Sequence, residues 1–226
     1  LHTEEQMLVE LVHNDNGENP NLESYLRNMM AVMEFDAKRR LRVITQAELT
    51  EYTRSLATAV TDAMYYFIGH GEPAAIHKAR YLPVSAAHIT HMLRDTQEDN
   101  QSGYFNIPQE YLQAHDISSR DVESRAFQQW VCNRVKLARQ YFQEGRESID
   151  QNKNLRRRLA GYAYIARFEW ILGAIERDNF CLRSEYRGRK SIRAGLWMTC
   201  STLASMLAPT WIKTIPSCRP AGTFRI

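Results

Sequence analysis

The sequence predicts an all-α protein, and three observations lead to that prediction. Apolar residues recur at helical spacing over several long stretches, and glycine and proline are confined to a few places between them. No stretch of useful length alternates apolar and polar residues as a half-buried strand does. We therefore expect roughly six or more helices, bundled or orthogonal, around an elongated interior.

The first two predicted helices cover residues 21–40 and 45–68. In the first, the apolar positions are Leu22, Tyr25, Leu26, Met29 and Met33. In the second, Thr45 can cap the helix and Glu48 completes a capping box. The apolar stripe that follows consists of Leu49, Tyr52, Leu56, Val60, Met64 and Phe67. Gly69 is expected to end this helix.

Three further helices are predicted over residues 73–100, 119–149 and 154–176, and Pro83 is expected to kink the first of them. Residues 194–212 then contain no formal charge, and a stretch of this length is close to that of a membrane span. Its serine, threonine and proline content favours a terminal core helix or a surface-seeking segment instead.

Length, charge and cysteine content limit the class of protein. A chain of 226 residues with 44% hydrophobic and 24% charged residues predicts one soluble domain, over residues 1–226. A net charge of +3 does not indicate a nucleic-acid partner. The four cysteines have no CxxC pair, which indicates reduced thiols in a cytoplasmic protein. The chain starts at Leu1 without a signal peptide in its first thirty residues, so we expect an N-terminally incomplete domain.

The most chemically specific feature is a polar stripe on the helix predicted over residues 73–100. At about 100° per residue, His88, His91, Asp95 and Asp99 fall within an arc roughly 80° wide. Two carboxylates one turn apart repel each other unless positive charge lies between them. That charge can come from a Mg²⁺ ion carrying a phosphate-rich substrate, or from cationic side chains of a neighbouring helix.

Three interpretations of the stripe remain open from the residues alone. Asp95 and Asp99 can hold Mg²⁺, which bridges diphosphate oxygens, and this is the favoured interpretation. His88, His91 and a carboxylate can instead bind zinc or iron, although no HExxH motif is present. The stripe can also be a solvated helix face. The apolar neighbours of the stripe favour a pocket over a solvated face.

The stretch 86–108, which contains AHITHMLRDTQEDNQSGYFNIP, resembles the second aspartate-rich motif of the squalene/phytoene synthase family. The matching positions are Arg94, Asp95, Glu98, Asp99, Gly103 and Pro108. Weaker similarity is found in the segment Met33-Glu-Phe-Asp36 and in the helix from Tyr52 to Gly69. The resemblance covers residues 21–195.

The resemblance implies an isoprenoid synthase-like helical bundle around a central cavity, and Mg²⁺-dependent head-to-head coupling of two allylic prenyl diphosphates. In that chemistry Asp95 and Asp99 hold the metal, with Mn²⁺ as an alternative ion, and Arg94 assists catalysis. The residues expected to bind substrate are His88, His91, Glu98, Tyr52, Arg187, Arg189 and Lys190. Aromatic and apolar side chains of the predicted helices 45–68 and 154–176 would line the tunnel.

Some associated properties stay open at this point. A lipid product makes peripheral membrane association an expectation, and the oligomeric state is not predicted. NADPH is an optional reductant, and no glycine-rich dinucleotide fingerprint supports it.

The chain departs from the family pattern at several positions. The first aspartate-rich motif of the family has no counterpart before Tyr52, and neither Asp15 nor Asp36 supplies it. The substituted positions are His88 for Gln, His91 for Asn, Tyr104 for Arg, Asn106 for Tyr, and Thr58 and Thr61 for glycines. Three rival functions follow: an enzyme that ionises one prenyl diphosphate, a non-catalytic prenyl-diphosphate-binding relative, and a metal hydrolase of the His/Asp type.

Overall fold

The computed structural model describes residues 2–15, 19–68, 78–186 and 191–207, and helices account for most of these ranges. The α-helices are α1 (Thr3–Asp15), α2 (Pro20–Arg39), α3 (Gln46–Ile68), α4 (Leu82–Ser102), α5 (Gln109–His115), α6 (Arg125–Asp150), α7 (Leu155–Arg177) and α8 (Ile192–Leu207). A short 3₁₀ helix, Lys78–Tyr81, precedes α4. Within the described ranges the only β-type pairing is an isolated bridge between Val43 and Phe105. The prediction of an all-α fold is confirmed.

The starts of α2 and α3 follow the local sequence. The side chain of Asn19 accepts a hydrogen bond from the backbone N–H of Asn21, and Pro20 occupies the first turn of α2. At α3 the predicted capping box is present. The N–H of Glu48 donates to Thr45 Oγ1 over 3.2 Å, and the N–H of Thr45 donates to Glu48 Oε2 over 2.8 Å. Gly69, expected to end α3, lies outside the described residues.

Helix α4 begins at Leu82, so the predicted kink at Pro83 was wrong. Pro83 lies in the first turn, where its missing N–H breaks no helical hydrogen bond. Residues 73–77, where the prediction started this helix, lie outside the described residues. Pro83 also packs closely on α6, because a Cβ atom added to Gly145 would lie 2.5 Å from Pro83 Cγ.

Helices α6 and α7 start at side-chain caps. Ser124 caps α6 by accepting from the N–H of Phe127 over 3.1 Å, so α6 begins later than the predicted residue 119. Asn154 caps α7 by accepting from the backbone N–H groups of Arg156 and Arg157. Helices α1 and α5 were not predicted; α1 has no buried residue and α5 has seven residues.

Helix α4 lies at the centre of the described structure and packs against α3, α6 and α7. One side of α4, including Ile89 and Leu93, joins the main apolar core. The core residues from α6 and α7 include Phe127, Val131, Val135, Phe142, Ile165, Phe168, Leu172 and Ile175. Helix α2 packs on α3, and α8 packs on α7. Two faces of α4 are therefore distinct: one is part of the core, and the other carries the polar stripe.

Two further predictions can be compared with the structure. Cys181 and Cys200 are free thiols, as predicted. Among the described helices, none has both the length and the apolar character needed to cross a membrane. Peripheral membrane association and the single-domain organisation stay predictions.

Candidate functional site

The polar stripe of α4 faces a cavity of about 470 Å³. His88, His91, Asp95 and Asp99 all line it, as their common arc on the helix predicts. The other lining residues come from α2, α3, α4, α7 and the segment after α4: Asp36, Arg39, Tyr52, Leu56, Val60, Val84, Met92, Tyr104, Asn106 and Tyr164. The charged and polar side chains lie at one end of the cavity. Leu56, Val60 and Val84 form an apolar wall at the other end.

Asp95 is held by its neighbours on α4. Arg94 forms a two-pronged ion pair with it, in which Arg94 Nε lies 2.5 Å from Asp95 Oδ1. His91 Nδ1 lies 3.6 Å from Asp95 Oδ2. Burial by itself raises the pKa of Asp95, but the hydrogen bonds and charges of His91 and Arg94 outweigh it and bring the pKa down to about 2. Asp95 is therefore a carboxylate at every physiological pH.

Asp99 is in the opposite electrostatic state. Burial is the main cause that raises its pKa, to about 6, and the nearby charges of Asp95 and Glu98 act in the same direction. A hydrogen bond from Asn106 Nδ2 to Asp99 Oδ2, 2.7 Å long, and the charge of Arg39 oppose this increase. Asp99 thus lacks a direct cationic partner in the described structure, and a bound cation would stabilise its charged form.

A chain of side chains connects Asp99 to α2 and α3. Arg39 Nη1 donates to Asn106 Oδ1 over 2.8 Å, and Arg39 Nε donates to Asp36 Oδ1 over 2.7 Å. The hydroxyl of Tyr52 donates to Asp36 Oδ2 over 3.0 Å. Arg39 also lies over the ring of Tyr52, with 4.9 Å between the guanidinium carbon and the ring centroid. We refer to Tyr52, Asp36, Arg39, Asn106 and Asp99 as the polar relay.

A left-handed turn at Gly103 brings Asn106 into the relay. Gly103 ends α4 with φ +84°, and the next N–H, that of Tyr104, donates back to the carbonyl of Asp99 over 2.8 Å. The chain then runs back past the end of α2, where the N–H of Leu41 donates to the carbonyl of Gly103 over 2.7 Å. Tyr104 and Asn106 therefore reach the cavity from the C-terminal end of α4.

His88 does not act as a cation in the way that the arginines do. Burial is the main cause that lowers the pKa of His88 to about 3, with contributions from the charges of Arg134, His91 and Arg39. His88 is therefore neutral, and its Nδ1 lies 3.1 Å from Thr53 Oγ1. Its ring meets Tyr52 edge to face, with 4.9 Å between centroids. A neutral His88 can offer a substrate a hydrogen bond or a ring face, but no positive charge.

The other residues expected at the site lie in different surroundings. Glu98 is exposed and does not line the cavity, and Arg94 reaches the site only through Asp95. Arg187, Arg189 and Lys190 lie outside the described residues. Of the side chains expected in the tunnel, Tyr52 and Leu56 line the cavity, whereas Phe67 is 52% exposed and Tyr162 is buried in the interior.

Sequence reasoning missed the roles of Arg39, Tyr104 and Asn106, and it gave Asp36 no part in the site. For Asp36 and Arg39 a local signal existed, because residues three apart on a helix share a face. Tyr104 and Asn106 were noted only as departures from the family pattern. Their place in the cavity depends on the turn at Gly103, which spacing alone does not specify.

The donor set of the site fits a hard divalent cation. Within the described ranges, no three side chains of His, Cys, Asp or Glu are grouped as a metal site. The zinc or iron interpretation, which needs His88, His91 and a carboxylate together, therefore gains no support from these residues. Mg²⁺ typically takes one or two carboxylates and completes its shell with water and substrate phosphates. Asp95 and Asp99 supply that number of carboxylates on one cavity wall.

Comparison with protein families gives a match over most of the chain. The model described as squalene/phytoene synthase matches residues 6–194, which is most of the chain. Comparison with curated proteins and with solved structures gave no match. The matched range contains all five residues of the polar relay, Asp95 and both histidines of the stripe.

Proposed function

Because the chain belongs to the squalene/phytoene synthase family, we propose that it couples two allylic prenyl diphosphates head to head, with Mg²⁺ held by Asp95 and Asp99. Family membership supports prenyl transfer in general. The observation that carries the finer proposal is the cavity itself, with two carboxylates at one end and apolar walls at the other. Such a cavity matches a substrate with an anionic head and a long hydrocarbon tail.

The residues of the polar end prepare the site for a diphosphate. At pH 7 Asp95 is ionised, and Asp99, with a pKa of about 6, is largely ionised as well. When bound, Mg²⁺ would draw negative charge away from the departing diphosphate. Asn106 and Arg39 hold the Asp99 carboxylate in place, because the relay ties it to the buried end of α2. Preorganised groups of this kind need no rearrangement during the reaction.

The apolar end would enclose the prenyl chain and exclude water. Leu56, Val60 and Val84 are aliphatic, and the rings of Tyr52, His88 and Tyr164 also face the cavity. Ring faces can stabilise positive charge that develops on an allylic group, and a dry wall limits its capture by water.

The experiment measures turnover of farnesyl and geranylgeranyl diphosphates by the purified chain with and without Mg²⁺, with products identified by mass spectrometry. Coupling doubles the carbon count of the substrate, whereas ionisation of a single substrate does not. We expect Asp95→Asn and Asp99→Asn each to lower turnover by about a hundredfold or more, and the exposed control Glu147→Gln to leave it unchanged. Unchanged turnover in both aspartate variants, with circular dichroism showing intact folding, would refute the proposal.

A second candidate is a protein that binds prenyl diphosphate without turning it over. The observation that favours it is the two-pronged Arg94–Asp95 ion pair, which already engages both oxygens of one proposed metal ligand. Titration calorimetry with Mg²⁺ and a prenyl diphosphate distinguishes the two candidates. Binding without any product, including after Arg94→Met has freed Asp95, would establish the second one.

A further inference from the structure

Two cavities share a wall inside the described structure. The larger is the site of about 470 Å³, and the smaller, of about 60 Å³, lies between α3, α4, α6 and α7. Val84 of α4 and Tyr164 of α7 line both of them. These two side chains therefore stand between the cavities.

The two cavities follow one another along α3. Tyr52, Leu56 and Val60 line the larger one, and Met64 and Ile68 line the smaller one. These five residues are spaced four apart, so they form a row that winds around the helix by about 40° per step. The row leads from the larger cavity to the smaller one, which lies on the other side of the shared wall.

The core holds the shared wall in place. The ring of Tyr164 lies against Phe168, with 5.0 Å between centroids, and Phe168 is only 2% exposed. Val84 is 4% exposed. Packing against the buried ring of Phe168 therefore holds the Tyr164 ring in position. Beyond the wall, Met64, Ile68 and Ile149 give the smaller cavity an apolar side that a hydrocarbon chain can contact, and Arg80, Asn152 and Arg157 are among its polar lining residues.

The length of the larger cavity can be compared with prenyl chains. Val84 precedes Asp95 by eleven residues on α4, which is roughly 16 Å along the helix axis. Bonds of about 1.5 Å advance a zigzag chain by roughly 1.25 Å each, so an extended farnesyl chain spans roughly 14 Å and a geranylgeranyl chain roughly 19 Å. A farnesyl chain that begins beside Asp95 ends before the wall, and a geranylgeranyl chain overruns it.

The geometry points to Tyr164 and Val84 as a partition that sets the length of the prenyl chain, so that the cavity accepts a farnesyl group and excludes the end of a geranylgeranyl group. The inference rests on the proposed function, because it assumes that the head group binds at Asp95 and Asp99. It predicts that removing the Tyr164 ring joins the two cavities and admits the longer chain.

The experiment measures binding, so that it does not depend on turnover. Farnesyl and geranylgeranyl thiolodiphosphates, whose carbon–sulfur bond resists ionisation, are titrated calorimetrically into the full chain with Mg²⁺. The wild type is expected to bind the farnesyl compound at least about tenfold more tightly. Tyr164→Ala should shift the ratio of the two affinities toward the geranylgeranyl compound by about tenfold or more, and Tyr164→Phe should leave the ratio unchanged.

The outcomes separate the two ideas. If the wild type binds neither compound, the proposed function fails and the partition with it. If the wild type binds both equally well, or Tyr164→Ala leaves the ratio unchanged, the partition is refuted and the proposed function stands. If Tyr164→Ala fails to fold by circular dichroism, Tyr164→Leu and Val84→Ala give the same comparison with smaller changes to the core.

Discussion

Asn106 Nδ2 donates a hydrogen bond of 2.7 Å to Asp99 Oδ2, and this contact connects the last turn of α4 to the segment that follows it. The same amide accepts from Arg39 through its oxygen, over 2.8 Å. Asn106 therefore orients both the carboxylate and the guanidinium. An ionised carboxylate at this position, which only accepts hydrogen bonds, could not bond both partners, because Asp99 accepts and Arg39 donates.

Replacing Asn106 is expected to move the pH dependence of the site. The hydrogen bond from Asn106 stabilises the charged form of Asp99, so Asn106→Ala should raise the pKa of Asp99 above its present value of about 6. Loss of metal binding on acidification should then begin at a higher pH. The measurement is Mg²⁺ affinity in the presence of a prenyl diphosphate between pH 5 and 8, with the exposed Asn133→Ala as control. An unshifted profile would show that Asn106 does not act on Asp99.

Asp99 is also expected to lower the stability of the metal-free protein at neutral and alkaline pH. Its pKa rises from 3.8 to about 6 on folding, so the unfolded chain favours the ionised form more than the folded one does. The loss of stability from ionised Asp99 is absent below pH 3.8 and complete above about pH 6. After solvent screening, the gain in the free energy of unfolding is roughly 1 kcal/mol. In EDTA at pH 8, Asp99→Asn should therefore raise the melting temperature by about 2–4 °C. The gain should shrink toward pH 4. A gain that is equal at both pH values would contradict the pKa assignment.

Arg39 should contribute more to stability than an arginine on the surface of the same helix. Its side chain is 7% exposed, and it pairs with Asp36, which is 36% exposed. Arg39→Met leaves Asp36 and Asn106 without their shared donor and should lower the free energy of unfolding by about 2–3 kcal/mol. The matched control is Arg27→Met, since the Arg27–Glu23 pair is 76% and 73% exposed and should contribute less than about 0.5 kcal/mol. Urea denaturation measures the free energy of unfolding of both variants. Equal losses in Arg39→Met and Arg27→Met would contradict a stabilising role for the polar relay.

The features that the sequence predicted correctly depend on short-range rules. The capping box of Thr45 and Glu48 needs residues only three apart. The common face of His88, His91, Asp95 and Asp99 follows from the helical repeat alone. These rules were sufficient to predict the carboxylate wall of the cavity before its other walls were known.

The features that the sequence did not predict depend on distant contacts. Arg39 and Asn106 are 67 positions apart, and no local pattern indicates that they meet. The error at Pro83 has a similar origin, because helical spacing could not show that the helix begins at Leu82. His88 was expected to bind substrate, and only the burial of its ring shows that it carries no positive charge.

The turn at Gly103 gives the last prediction, because it sets the position of Asn106. Gly103 has φ +84°, where a side chain adds about 1–2 kcal/mol of strain, and a Cβ atom there would lie 2.5 Å from Leu41 Cδ2. Gly103→Ala should therefore lower the melting temperature by about 2–8 °C and weaken Mg²⁺ binding. Gly195 in α8 is the matched control, because a Cβ atom there meets nothing within 4 Å and alanine favours a helix interior. Gly195→Ala should raise the melting temperature slightly and leave Mg²⁺ binding unchanged, so changes of the same sign in both variants would contradict the role of the turn.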